Sequence, residues 1–472
     1  MNSPFQKRAS EHLIRSEAFL PLVSPAPLEY ILNNYKLEKL LDKVVFVLGT
    51  PGSGKTTFGR LFELDSLYTL HERSSSAQGL KPLVKVLSDF GVLSEDGPTL
   101  LAARLPMDTE YREIWELPYQ ESVKRGLFLK LLQSRCVLVW CNALMDQGVQ
   151  AADVEIFTKS HSPSAVENIG GPDLKALRDK AAEVESQVYK IIHSLVPKSL
   201  DNIASDLENN YEPLAHLIEF KVRFESTKPS ITLRPMLIVD DAHELHSAQF
   251  TNLVDYLINR ELSAARWIMT RYDVAISAND WIQTQSQNDK PGRQFGRDFE
   301  ILLTSQTEPN QKRPFKNAAL DIANRYLQEM PVFNRAQQTK LNFMLMETCN
   351  GISEGNVEKL RAKIKSDTTN LRISQERVEK IINIVDGYIQ GKDESEDVRL
   401  EMLRILLHRY SKRTPQQELF SEAIDVEPSR ELKADAGVMA GAKLHLMHEF
   451  ERPYYYGFEA VQIQEDVTLN NS

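Results

Sequence analysis

The sequence predicts an α/β protein: an αβα core on a parallel sheet, with a long helical insertion, a C-terminal helical lid and a winged-helix-like domain. Three observations carry that expectation. Val44-Val-Phe-Val-Leu48 is an unbroken apolar run, the pattern of a strand buried on both faces of a parallel sheet. Gly49-Thr50-Pro51-Gly52-Ser53-Gly54-Lys55-Thr56 then fits G-x-x-x-x-G-K-[ST], the Walker A pattern, and Thr57 onward reads as the opening of a helix. Far downstream, Pro235-Met-Leu-Ile-Val-Asp240-Asp241 is a second apolar run, this one ending in two acids.

Each residue type in the first motif has a chemical reason. Glycines at 49, 52 and 54 let the backbone turn tightly and aim successive N–H groups inward, a nest for phosphate oxygens. The helix starting near Lys55 adds the positive end of its dipole. Lys55 would reach the β- and γ-phosphates, and the Thr56 hydroxyl would ligate Mg²⁺. The second run supplies what an ATPase needs opposite that loop, a Walker B pattern. Asp240 would hold Mg²⁺ through water, and Asp241 would polarise the attacking water as general base, with Glu244 in reserve. A third apolar run, 265–269, closes on Thr270-Arg271, where Thr270 would orient water and Arg271 contact phosphate. ATP and Mg²⁺ are the expected ligands.

Size and charge set outer bounds. The 472 residues hold roughly three domains' worth of chain. A net charge of −10 argues against a whole-surface grip on nucleic acid and leaves room only for a local basic face. Three cysteines point to a reducing compartment without a disulfide framework, and Cys136 and Cys141 read as buried thiols inside a strand-like run. The sequence shows no apolar run of about 18 residues and no signal-peptide core, so a cytoplasmic chain with no membrane partner is expected.

In chain order, 1–35 reads as a leader of short helices lying against the core at 36–310. Helices are expected at 82–87 and 118–132, with Val123, Leu127 and Leu131 near period 3.6. The 136–141 run reads as a second buried strand. Between about 150 and 225 an inserted helical segment is expected, with Leu174, Leu177, Ala181, Val184, Val188 and Ile191 forming one stripe. A strand at 299–304 follows a polar loop whose Arg293 and Arg297 are candidate fingers toward a neighbouring subunit's γ-phosphate in a homo-oligomer. The lid is expected over 311–391, with Lys359 or Arg361 facing phosphate. The acidic stretch 392–397 marks a boundary before the last domain, 392–472. There, His445-x-x-His448-Glu449 reads as helix surface because no third metal ligand is evident.

Taken together and in order, Gly49–Thr57, Leu237–Asp241 and Ile268–Arg271 resemble AAA+ ATPases of the origin-recognition type. They also resemble the related STAND ATPases, whose strand-end Asp-Asp and Thr-Arg match Asp240-Asp241 and Thr270-Arg271. The opening Asn-x-Pro-Phe, Cys349-Asn-Gly351 and the Tyr-Tyr-Gly-Phe tail look like bacterial members of the first group, a number of them associated with phage defence. The resemblance implies a P-loop NTPase αβα core with a helical lid and a C-terminal winged-helix-like domain, and ATP binding and hydrolysis coupled to engagement of a protein or DNA partner. Two departures stand out: the interval from Thr56 to Asp240 is long, and most relatives carry Glu where Asp241 stands. The shorter acid keeps open a non-hydrolysing, ATP-bound switch. A GTPase is disfavoured by the lack of N-K-x-D, an ABC-type ATPase by the lack of L-S-G-G-Q, and a small-molecule kinase by the strand-end acid pair.

Overall fold

The computed structural model describes residues 15–33, 35–74, 77–159, 163–194, 211–272, 296–304, 312–341, 351–392, 394–413 and 432–453. It divides into two compact units, 1–339 and 340–472. The first is a mixed α/β unit around a seven-stranded, mostly parallel sheet. Its strands are β1 (Val44–Leu48), β2 (Leu100–Pro106), β3 (Val154–Thr158), β4 (Leu217–Val222), β5 (Ile231–Asp240), β6 (Ala265–Thr270) and β7 (Phe299–Leu303). Across the sheet the parallel order is β2, β5, β6, β1, β7. The N-terminal end of β5 is longer than β2 and pairs antiparallel with β4, which pairs in turn with β3.

Both faces of the sheet are covered, which is why β1 is apolar at every position. Val45 and Val47 point to one core, shared with Phe19, Leu28 and Leu32 of the leader and with Phe58, Leu61 and Leu67 beyond the Gly49–Thr56 loop. Val44, Phe46 and Leu48 point to the other, built from the helices Glu121–Asp146 and Leu174–Ile192. Alternate side chains of one strand therefore feed opposite layers. The six-residue stripe expected on the second of those helices is buried as one face. The leader also packs where expected, and Arg325 of the helix Lys312–Glu329 donates to Pro21 O.

The structure corrects several expectations. Residues 136–141 are not a strand; they lie inside the 26-residue helix Glu121–Asp146. Sheet residues on one side and Leu174–Ile192 on the other cover that helix, so it is apolar nearly all round and loses its amphipathic signature. By length and composition it could cross a membrane, the one described helix of which this is true; 61% of its most apolar stretch is buried within the fold. Cys136 and Cys141 are buried thiols, as expected, and burial pushes Cys141 up to about 12. The inserted segment is not wholly helical either. Leu217, Phe220 and Val222 are buried while Glu219 and Lys221 are exposed, so 217–222 forms β4 against the overhanging end of β5.

The second unit, among its described residues, is a set of four helices: Glu354–Asn370, Gln375–Ile389, Glu396–Arg413 and Ala436–Phe450. They share one core that includes Leu360, Ile381, Val385, Met402, Leu406 and Leu446. Helices on both sides of the acidic 392–397 stretch thus belong to one unit, and the chain divides at 339/340 instead. Cys349 and Asn350 of the Cys349-Asn-Gly351 match and the Tyr-Tyr-Gly-Phe tail fall outside the described residues.

Candidate functional site

All five strands of the parallel part of the sheet point their C-terminal ends the same way, the edge where ligands sit in open α/β sheets. Leu48 of β1 is level with Thr270 of β6, and Val239 of β5 is level with Ile268. Strand β6 therefore lies between the Gly49–Thr56 loop and the acid pair. Two strand spacings, roughly 10 Å, separate Leu48 from Asp240. The three motifs, 184 residues apart in chain between Thr56 and Asp240, converge on one edge.

The loop has the backbone its glycines were expected to permit. Gly52 and Gly54 take φ of 81° and 85°, left-handed values that cost other residues. A Cβ on Gly49 would lie 2.1 Å from Thr304 Oγ1 and 2.2 Å from Ser53 Oγ, so the loop closes against the end of β7 through a Ser53–Thr304 hydroxyl pair 2.8 Å apart. Pro51, Gly52 and Gly54 are exposed, Thr50, Ser53, Thr56 and Thr57 half-buried. Lys55 is buried, and its Nζ donates to Gly49 O at 2.9 Å and Thr50 O at 3.1 Å. Its ammonium is thereby held inside the curve of the loop.

Opposite stands Asp240, 1% exposed. Its Oδ2 accepts from Arg104 Nη1 at 3.1 Å, and its Oδ1 accepts from the backbone N–H of Asp241 at 3.0 Å. Burial, then the neighbouring Asp241, raise its pKa above the ordinary carboxylate value, while Arg104 pulls the other way. Asp241 sits in the left-handed region, φ 52°, which aspartate tolerates, and its side chain is 46% exposed. Thr270 is fully buried, and its Oγ1 has no hydrogen-bond partner. His243 is likewise buried along its ring, with Nδ1 lacking a hydrogen bond but 3.9 Å from Asp241 Oδ1, and Nε2 3.2 Å from the Glu244 carboxylate. Burial lowers the His243 pKa most and Arg271 next; Asp241 and Glu244 oppose them, and Lys55 lowers it further. Asp241 and Glu244 thus flank the imidazole, one carboxylate near each ring nitrogen.

No protein-family model and no curated protein matches the chain.

Of the other expected site residues, Arg297 precedes β7 and so stands at the opposite end of that strand from this edge. Arg297 is exposed, 3.7 Å from Asp298, and Arg293 falls outside the described residues. Arg361 pairs with Glu358 and Glu396, and Lys359 Nζ lies 3.4 Å from Asn356 Oδ1, both inside the helical unit. His445 Nδ1 meets Glu401 at 3.1 Å, and no group of three or more His, Cys, Asp or Glu side chains gathers around a metal position among the described residues.

Arg104 was not anticipated. The signal was available: in Leu100-Leu-Ala-Ala-Arg104-Leu a lone guanidinium interrupts an apolar run, and a buried charge needs a partner. It has two. Besides Asp240, its Nε donates to Glu63 at 2.6 Å. Burial alone would lower its pKa, but Glu63 and Asp240 outweigh burial and keep it charged. Gly59 makes room for it, since a Cβ there would lie 3.2 Å from Arg104 Cδ and 2.9 Å from Met269 Cε.

Proposed function

We propose that this chain is a P-loop ATPase that binds Mg-ATP at the strand edge formed by Gly49–Thr56, Asp240 and Thr270. The observation that supports it is the convergence of three things at one edge: a glycine loop with left-handed turns holding Lys55, a buried carboxylate, and a buried hydroxyl without a partner. Unpartnered buried polar atoms are rare, and one that lies between a cation and an acid suits an incoming polar ligand. The donor set also suits Mg²⁺, a hydroxyl and a carboxylate that leave most positions to water and phosphate.

On this reading Gly49, Gly52, Ser53 and Gly54 present backbone N–H groups to the phosphates. Lys55 exchanges its two carbonyl acceptors for β- and γ-phosphate oxygens. Thr56 and Asp240 would hold the magnesium, which when bound neutralises charge developing on the phosphates. Thr270 donates toward the γ-phosphate or the attacking water, Asp241 takes the proton from that water, and Arg271 adds a cation at the mouth. Turnover would drive a conformational change that engages a protein or DNA partner, in keeping with the resemblance to bacterial, defence-associated AAA+ and STAND proteins.

A second reading rests on Asp241. It is short, half-exposed and held in a left-handed turn, so a site that binds ATP firmly and hydrolyses it slowly, acting as a switch, is the alternative. Phosphate release by the wild type and by Lys55→Ala separates the two. Release abolished by the substitution supports the ATPase; ATP bound by the wild type without release supports the switch. ATP bound by neither chain would remove both.

A further inference from the structure

Resting on that nucleotide-site reading, we propose that Arg104 is the resident counter-cation of Asp240, yielding it to magnesium when nucleotide binds and being kept in place by Glu63. Asp240 is 1% exposed, and a carboxylate so buried needs a positive partner whether or not a metal is present. Arg104 supplies one through Nη1, which donates to Oδ2 at 3.1 Å. A magnesium bound through Asp240 would stand against the same carboxylate, and two cations on one buried acid repel.

Arg104 has somewhere to go. Its Nε already donates to Glu63 at 2.6 Å, so giving up Asp240 leaves the guanidinium paired rather than stranded. Its side chain is 20% exposed where that of Asp240 is 1%, so the arginine rather than the aspartate has room to move. The Glu63 main chain is held by an isolated bridge to Ala102 of β2, two residues before Arg104, which keeps its carboxylate within reach of the guanidinium. Arg60, on the helix Lys55–Leu61, feels both Glu63 and Arg104. The arrangement is a three-membered relay of acid, base and acid, with only the inner acid facing the proposed metal.

The relay makes two changes act in opposite directions. With Arg104→Gln, Asp240 loses its competitor, so the magnesium concentration that half-saturates ATP binding should fall by about tenfold. With Glu63→Gln, Arg104 keeps only Asp240, and that concentration should rise by about threefold. Affinity for ATP without magnesium should stay within about twofold of wild type in both. The readout is equilibrium binding of a fluorescent ATP analogue to the full chain, titrated with MgCl₂ and repeated with EDTA. Arg104→Lys, which keeps the charge and loses the fork, should fall between wild type and Arg104→Gln, and it decides the matter should Arg104→Gln not fold. A merely structural pair would shift both variants the same way. If ATP binds normally and the Mg²⁺ dependences do not split in opposite directions, this inference falls alone. If the wild type binds no ATP in either condition, the proposed function falls with it.

Discussion

Among the described residues, the most buried arginine–aspartate pairs of the two compact units differ in how completely they are satisfied. In the helical unit, Asp397 and Arg452 are both 1% exposed and meet at 2.8 Å. Asp397 also accepts from Ile352 N at 3.0 Å, Val398 N at 2.9 Å and the Ser395 hydroxyl, while Arg452 donates to Ser395 Oγ and Pro453 O. Both Asp397 oxygens have two donors each, although Glu394 Oε2 and Glu401 Oε2 nearby in sequence lack hydrogen-bond partners. In the α/β unit, Asp240 has two donors, its arginine is a fifth exposed, and the neighbouring Thr270 hydroxyl has none. A satisfied pair is a staple; an under-satisfied one beside a glycine loop is a place for something else to bind.

The largest effect should come from breaking the staple. Asp397→Asn leaves Arg452 buried without its countercharge and should cost about 3–5 kcal/mol in chemical unfolding, leaving ATP affinity unchanged. A loss under about 1 kcal/mol would erase the distinction. Asp240→Asn should do the reverse. Arg104 keeps Glu63, so stability at neutral pH should move by less than about 1 kcal/mol, whereas phosphate release should fall by about 100-fold, near 2.7 kcal/mol of barrier. A large drop in melting temperature with turnover intact would make Asp240 a staple too.

The pH response sharpens the same contrast. Burial and Asp241 raise the Asp240 pKa above 3.8, so the folded state holds that proton more tightly than the unfolded one. The stability so gained is full below 3.8 and is lost as pH rises through the folded value. Melting curves of Asp240→Asn should therefore gain on wild type as pH rises from the ordinary carboxylate range, and curves that stay parallel would contradict this. The smallest effect belongs to the loop. A Cβ on Gly52 meets no atom within 4 Å, so Gly52→Ala bears only the left-handed backbone cost of about 1 kcal/mol. Its effect on ATP affinity should exceed its effect on melting.

How far the fold could be read from sequence follows the same logic of partners. β1, β6, β7 and the second half of β5, from Pro235, were legible because each is a short, mostly apolar run bounded by polar or glycine punctuation. Residues 136–141 look the same over six positions, yet they sit mid-helix. What distinguishes them is length: Leu127, Leu131, Leu132 and Leu144 continue the burial at helical spacing on both sides. β4 was hidden inside a helical segment although its alternation is clear, because its partner, the overhang of β5, lies ahead in the chain. Lys55, Thr56, Asp240 and Thr270 could be singled out because a glycine loop opening a helix and polar residues ending two apolar strands stand out in the sequence. Arg104 was not, since its role depends on the register that sets it beside Ile238, two residues before Asp240.

The account stands or falls on ATP binding at the Gly49–Thr56 loop. Equilibrium titration of the full chain with ATP and Mg²⁺, wild type against Lys55→Ala, measures it directly. The proposed function predicts one saturable site whose affinity drops by at least about 100-fold on substitution, as loss of a charge-assisted contact to two phosphates requires. Equal affinity in the two chains, or none in either, would contradict it.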